Sequence, residues 1–380
     1  MAKRILFVAA LHHPETLAQD QTQARQHGNP APLFPSSNSY HFYEKEFRKR
    51  GYTLDVFWRN LPASAKNDPQ NAKSQKFEEG LSLKKIVQGV GNRVPAHLNP
   101  DLRARNVYLL QYAQAFQPNV IWVVGDNRVI FAETLAQLKQ THNCTIVYAS
   151  GTSPIVFSHS MEREAARLYD WVICNDYYHG IQWQELGSKN MLCLPIAAAD
   201  PDFHAPRTLT ESERAQYACE VSFVGTLVPH HLYSERVAAL NALTSFNLGI
   251  WSVHDLPSDL RPYFRGKALG DEMMRVLSAS LMTLNPHGDF MRYGGNMRLF
   301  EAAAMNVFQL VDDRPGVHEW FEVGQHLVTY RDPQDLREKV VYYLAHPEER
   351  ETIAAAAREH VLAHHTYAHR VSSLQNNGVV

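Results

Sequence analysis

Cysteine is scarce in this chain: four residues in 380, Cys144, Cys174, Cys193 and Cys219, with no Cys-x-x-Cys among them. Three lie inside strand-like apolar runs, so they read as reduced core residues of a cytosolic protein and not as a disulfide framework. Long hydrophobic runs are missing too. No stretch approaches the eighteen or so apolar residues of a membrane span. Charge of one sign is missing: the net charge is −2, which gives no basic excess for nucleic acid or anionic lipid. A Gly-x-Gly-x-x-Gly fingerprint is also absent, and isolated glycines such as Gly187 and Gly225 speak against a dinucleotide oxidoreductase. The opening Met-Ala-Lys-Arg and the short apolar run after it imitate a signal peptide. However, the run stops at His12-His13-Pro14 without a small-residue cleavage site, so a first buried strand is expected.

What is present is an ordinary globular balance, 45% hydrophobic and 20% charged. The length exceeds one ordinary core and suggests two domains. Residues 5–10 read as a continuous apolar strand, 39–50 have helical spacing that ends at Gly51, and 53–58 return as a strand. The Gln-, His-, Pro- and Asn-rich residues 12–38 between them are far longer than such a connection needs, and read as a lid or a disordered insertion. Residues 61–100 read as an irregular excursion with one short helix near 81–89. Strands at 120–124, 145–149, 171–175 and 191–195 then alternate with helices at 100–116, 131–141, 161–168 and 178–186. After a linker at 197–217 the alternation starts afresh, with strands at 220–224, 247–251, 280–284, 307–311 and 326–330. Helices are expected at 233–244, 271–279, 317–322, 333–345 and 347–364. Strands reading as unbroken apolar runs between helices imply a parallel sheet covered on both faces. The expected architecture is α/β: a doubly wound Rossmann-like domain over 1–205, a second over 206–364, and a tail over 365–380. Ligands of such sheets sit beyond the carboxyl ends of the strands, so the two sets of post-strand loops share a cleft.

The segment from Asn285 to Gln309 carries the most chemistry. A strand is followed by a loop with Gly288, Gly294 and Gly295, and a helix opens near Asn296. Unpartnered N–H groups and the positive end of the helix dipole at such a junction suit a phosphate, and Gly294 and Gly295 let the backbone come close to it. Arg298 and Glu301 share a helix face, the first able to grip phosphate oxygens and the second to accept ribose hydroxyls. The plainer alternative is a solvated ion pair that complements the dipole. Arg292 and Lys267 are further cations on the same wall, and Asn285 ends the strand. Gly225, Thr226 and His231 follow another strand beside it.

On the opposite wall Asp126 follows a strand and is the first candidate for a base, with His159 second; a turn residue is the plainer reading of Asp126. His360, His364, His365 and His369 contain two i, i+4 pairs but lack the Glu of His-Glu-x-x-His, so no metal site is expected.

Val-Ser-Phe-Val-Gly-Thr at 221–226, Arg236, Leu-Asn-Pro-His at 284–287 and Arg-Leu-Phe-Glu-Ala-Ala-Ala-Met at 298–305 carry a family likeness. So do Tyr-Tyr-Leu-Ala-His-Pro-Glu-Glu-Arg at 342–350 and His-Thr-Tyr-Ala-His-Arg at 365–370. Together they resemble the CgeB-like glycosyltransferases, close to glycosyltransferase family 4 with its two-domain GT-B fold. The resemblance implies a nucleotide-sugar donor, UDP-linked, in the second domain, with Glu301 on the ribose and the glycine loop near the diphosphate. It implies transfer with retention to a glycan, small-molecule or protein acceptor, no metal or other cofactor, and a tail that crosses back to brace the first domain. The chain departs from family 4 at Tyr293, where a second Glu is usual, and from relatives at Thr152, where an acidic residue is frequent. A sugar-nucleotide epimerase of the same fold and a degenerate nucleotide- or sugar-binding protein are the alternatives.

Overall fold

The computed structural model describes residues 3–69, 95–151 and 153–380. The helix expected near 81–89 and Thr152 lie outside the described residues. The first sheet is built by β1 (Arg4–Ala9), β2 (Thr53–Trp58), β3 (Val120–Val124), β4 (Thr145–Ser150), β5 (Trp171–Cys174) and β6 (Asn190–Cys193). Its strands are parallel throughout and run in the order β2-β1-β3-β4-β5-β6. The helices that cover it include α1 (Pro14–Gln26), α2 (Ser39–Lys49), α3 (Pro100–Phe116), α4 (Ala132–His142), α5 (Ser160–Glu164) and α6 (Tyr177–Glu185). Alternation along β1 shows why its sequence is apolar without a break. Ile5, Phe7 and Ala9 enter the core shared with α2, while Leu6 and Val8 enter the one shared with α3 and α4.

The second sheet contains β7 (Cys219–Val224), β8 (Leu248–Trp251), β9 (Phe264–Gly266), β10 (Ser280–Asn285), β11 (Phe308–Asp312) and β12 (Val328–Tyr330). It too is parallel, in the order β12-β11-β10-β7-β8-β9. Its helices are α7 (Glu211–Tyr217), α8 (Ser234–Ala242), α9 (Asp271–Ala279), α10 (Arg298–Ala304), α11 (Pro315–Trp320), α12 (Pro333–Ala345) and α13 (Pro347–His364). The chain then turns back to the first domain. In α14 (Tyr367–Asn376) the side chains of Tyr367, Val371 and Leu374 lie in the same core as Phe7, Phe42 and Tyr43. Tyr367 stacks on Phe42 at 5.0 Å, and Arg50 on α2 donates to the Ala368 carbonyl. Each buried apolar side chain of this kind contributes roughly 1.5–3 kcal/mol, so α14 is a substantial part of that core.

Three local expectations need correction. Much of 12–38 is not a disordered insertion: Pro14 at the first helical position and Glu15 in the first turn start α1, whose one buried anchor is Leu17. The linker at 197–217 ends in a helix that was not expected, since Thr210 and Glu213 form a capping box that opens α7. The edge strand β9 is short and largely exposed, and has no apolar run to announce it. Among the described residues no helix is long and apolar enough to cross a membrane.

Candidate functional site

In the second sheet the strand order reverses between β7 and β10, so the loops after these strands diverge and leave a crevice between them. Arg236, from α8, ties the two loops together: its guanidinium donates to the carbonyls of Thr226 and Pro286, each at 2.9 Å. Below it, His287 is fully buried. Its Nε2 accepts the Gly295 N–H at 3.1 Å, which leaves Nδ1 to donate to Asp312 at 2.7 Å. Against the pull of burial, His287 and then Arg314 hold the Asp312 carboxyl well below the usual range.

The glycine loop approaches this crevice in a way the sequence did not suggest. Three of its N–H groups are already bonded: Tyr293 and Gly294 donate to the Asp176 carboxylate from the first domain, and Gly295 to His287. Both glycines are left-handed, with φ of 105° and 108°, and a Cβ on Gly295 would collide with the Asn175 carbonyl. Gly294 and Gly295 therefore admit a neighbouring domain's backbone and carboxylate, not the phosphate expected of them.

Arg298 and Glu301 do lie at the crevice. They pair at 2.5 Å and are largely buried, with side chains 19% and 9% exposed, so the solvated-face alternative fails. Arg298 also reaches the carbonyl of Val224, the last residue of β7, at 3.4 Å, and touches the Met273 sulfur. Two buried donor atoms here have no protein acceptor: Arg298 Nε and Asn296 Nδ2. The Asn296 Oδ1 meanwhile accepts the Leu299 N–H at 3.2 Å and helps start α10.

The other expected donor contacts are less well placed. Asn285 is buried in the sheet with its amide on Gln309 at 3.3 Å, so it supports the strand end and does not face the cleft. Arg292 is exposed and pairs with Glu235 in a surface ion pair. Lys267 is exposed beyond edge strand β9, two strands from β7. Gly225 and Thr226 form the loop after β7, where the Thr226 hydroxyl accepts the Val228 N–H at 3.2 Å and its carbonyl takes Arg236. His231 is exposed in a short turn of the same loop.

The first sheet reverses between β1 and β3. Asp126, just past β3, has φ 61° and an exposed side chain that pairs with Arg128 at 2.8 Å. Its turn is fixed from beneath: the buried Arg59 donates to the carbonyls of Gly125 and Asp126, and Glu162 accepts the Asn127 N–H at 2.6 Å. His159 is not poised as a base. It caps α5, its Nδ1 accepting the Met161 N–H while Glu162 accepts the His159 N–H. Tyr293 offers no carboxylate; it is buried beside the rings of Tyr177, Tyr178 and Trp320. Asp176, Asp312 and Arg59 carried no sequence signal, whereas Arg236 and His287 were part of the resemblance.

Two doubly wound parallel sheets whose post-strand loops meet across a cleft define the GT-B fold of glycosyltransferases. Residues 228–376 match a family model described as glycosyl transferase-like. The spore protein CgeB of Bacillus subtilis (strain 168) is 35% identical over 96 residues, 25% of this chain and 24% of CgeB. The match thus spans about a quarter of that relative's length. Sucrose-phosphate synthase from Thermosynechococcus elongatus is similar with a TM-score of 0.62 at 14% identity, covering 99% of this chain and 98% of that one. HepE of Anabaena, solved in complex with UDP, gives 0.55 at 12% identity, covering 99% and 100%. At these identities the structural likeness is one of fold.

Proposed function

We propose that this protein is a glycosyltransferase that moves a sugar from a UDP-linked donor to an acceptor on the first domain, without a metal ion and with retention. The observation that carries the reading is the buried Arg298–Glu301 pair at the β7/β10 crevice, beside two donor atoms that have no protein acceptor. Glu301 accepts the ribose hydroxyls. Arg298 Nε and Asn296 Nδ2 donate to the diphosphate as charge gathers on it while the bond to the sugar breaks, in a place where water screens little. The engagement of the Tyr293, Gly294 and Gly295 N–H groups by Asp176 and His287 supports a site in which side chains take part in holding the phosphate. UDP in the HepE complex supports the same nucleotide class.

Retention is supported by what the first domain offers. Asp126 is exposed and paired, and His159 caps a helix, so neither stands ready as a base. The acceptor hydroxyl then gives its proton to the departing phosphate oxygen, as the new bond to the sugar forms on the face the phosphate leaves.

The test is a panel of nucleoside diphosphates in thermal stabilisation, followed by calorimetry on Glu301→Gln and Arg298→Gln. UDP is expected to stabilise the wild type, and each variant to bind it at least tenfold more weakly, about 1.4 kcal/mol. A wild type that binds no nucleoside diphosphate, or variants that bind as well as it does, would end the reading. Donor converted without any acceptor would identify an epimerase instead, and nucleotide bound without turnover of any sugar donor a binding protein.

A further inference from the structure

The turn from β5 into α6 reaches out of the first domain and grips the donor wall. Asp176 is fully buried and caps α6, its Oδ1 accepting the Tyr178 N–H at 2.9 Å. Its Oδ2 accepts the N–H groups of Tyr293 at 2.8 Å and Gly294 at 3.2 Å. No cation among the described residues bonds to it; three backbone donors stabilise the carboxylate, the arrangement of an anion seated in a nest. Around it the fit is close. Gly295 meets the Asn175 carbonyl with no room for a Cβ, His179 Nε2 donates to the Phe290 carbonyl at 2.9 Å, and the Phe157 ring lies 4.7 Å from that of Phe290. Residues 290–295 of the second domain are therefore positioned by residues 157 and 175–179 of the first.

We propose that Asp176 is a positioning residue for the transfer reaction. By holding the Tyr293 and Gly294 N–H groups it sets the glycine loop, and through that loop the direction in which Asn296 and Arg298 present their free donor atoms. The donor site is then complete only while the first domain is docked, so nucleotide binding and docking strengthen one another. This rests on reading the start of α10 as the donor wall.

Asp176→Ser separates the two roles of the carboxylate. Serine remains a good N-cap for α6 but is too short to bridge to the glycine loop. In the full chain without ligand, the Tyr293 and Gly294 amides should exchange hydrogen at least tenfold faster in D176S, at an unchanged far-UV spectrum. Under transfer conditions D176S should lose at least tenfold in kcat and in UDP affinity, with the KM for acceptor within about twofold. Gly295→Ala should open the same contact from the other side. The double variant should then be no worse than the poorer single one, because both changes remove one shared contact. Unchanged amide exchange in D176S overturns the proposal whether or not the protein binds nucleotide. If the wild type binds UDP and D176S matches it in affinity and kcat, the donor site stands and the role of Asp176 falls.

Discussion

At the carboxyl edge of the first sheet the guanidinium of Arg59, 2% exposed, donates to the carbonyls of Val8, Val124, Gly125 and Asp126. At the same edge of the second sheet Arg236 donates to those of Thr226 and Pro286. In both domains an arginine, buried in the first and half-buried in the second, gathers the chain where two neighbouring strands send their loops apart. What is built on that footing differs. The first crevice ends in a turn that leaves Asp126 and Arg128 in solvent, whereas the second carries a buried ion pair and donor atoms without acceptors. A diphosphate requires donors oriented in advance away from water, and the second crevice supplies two of them in Arg298 Nε and Asn296 Nδ2.

The sharpest way to break this comparison is to remove each arginine in turn. Arg59→Met leaves four carbonyls without their donor, and at roughly 1–3 kcal/mol for each buried group left unsatisfied, urea unfolding should show a loss of about 4 kcal/mol or more. Whatever fraction folds should bind UDP as the wild type does. Arg236→Met frees two carbonyls, so its loss of stability should be about half that of Arg59→Met. Its affinity for UDP in calorimetry should fall about tenfold, because the loops on both sides of the donor pocket are released. Equal effects of the two variants on nucleotide affinity would show that the crevices are not separate in function.

The smallest expected effect belongs to Asp126→Asn. Its exposed side chain should change stability by no more than about 0.5 kcal/mol. The transfer rate should fall less than threefold; a loss in the range of about 10²–10⁴ would make Asp126 the base and argue for inversion.

Strands buried on both faces announce themselves as unbroken apolar runs, so all but one of the strands described could be read from the chain. Three helices were equally plain: 271–279, 333–345 and 347–364 were read with the bounds of α9, α12 and α13. What escaped had too little buried surface to leave a pattern, as in α1 with its single anchor Leu17 and the exposed β9. At the site, Arg298 and Glu301 were visible because their spacing puts them on one helix face. Asp176 was not: its partners lie 117 and 118 residues further on, and nothing local to a helix-capping aspartate marks it as a bridge. Asn285 was misread for a related reason. A residue at a strand end faces either the cleft or the neighbouring strand, and Gln309 on β11 settled that choice.

The helix α14 has a bearing on how the molecule is made. Because Tyr367, Val371 and Leu374 fill out a core begun by Phe7 and Phe42, the amino-terminal half cannot be completed while it leaves the ribosome. It has to wait, partly open, until residues 367–376 have been synthesised and the second half has brought them home. A fragment ending near residue 205 would carry an uncovered greasy flank, and separately expressed halves are a poor route to studying either wall alone.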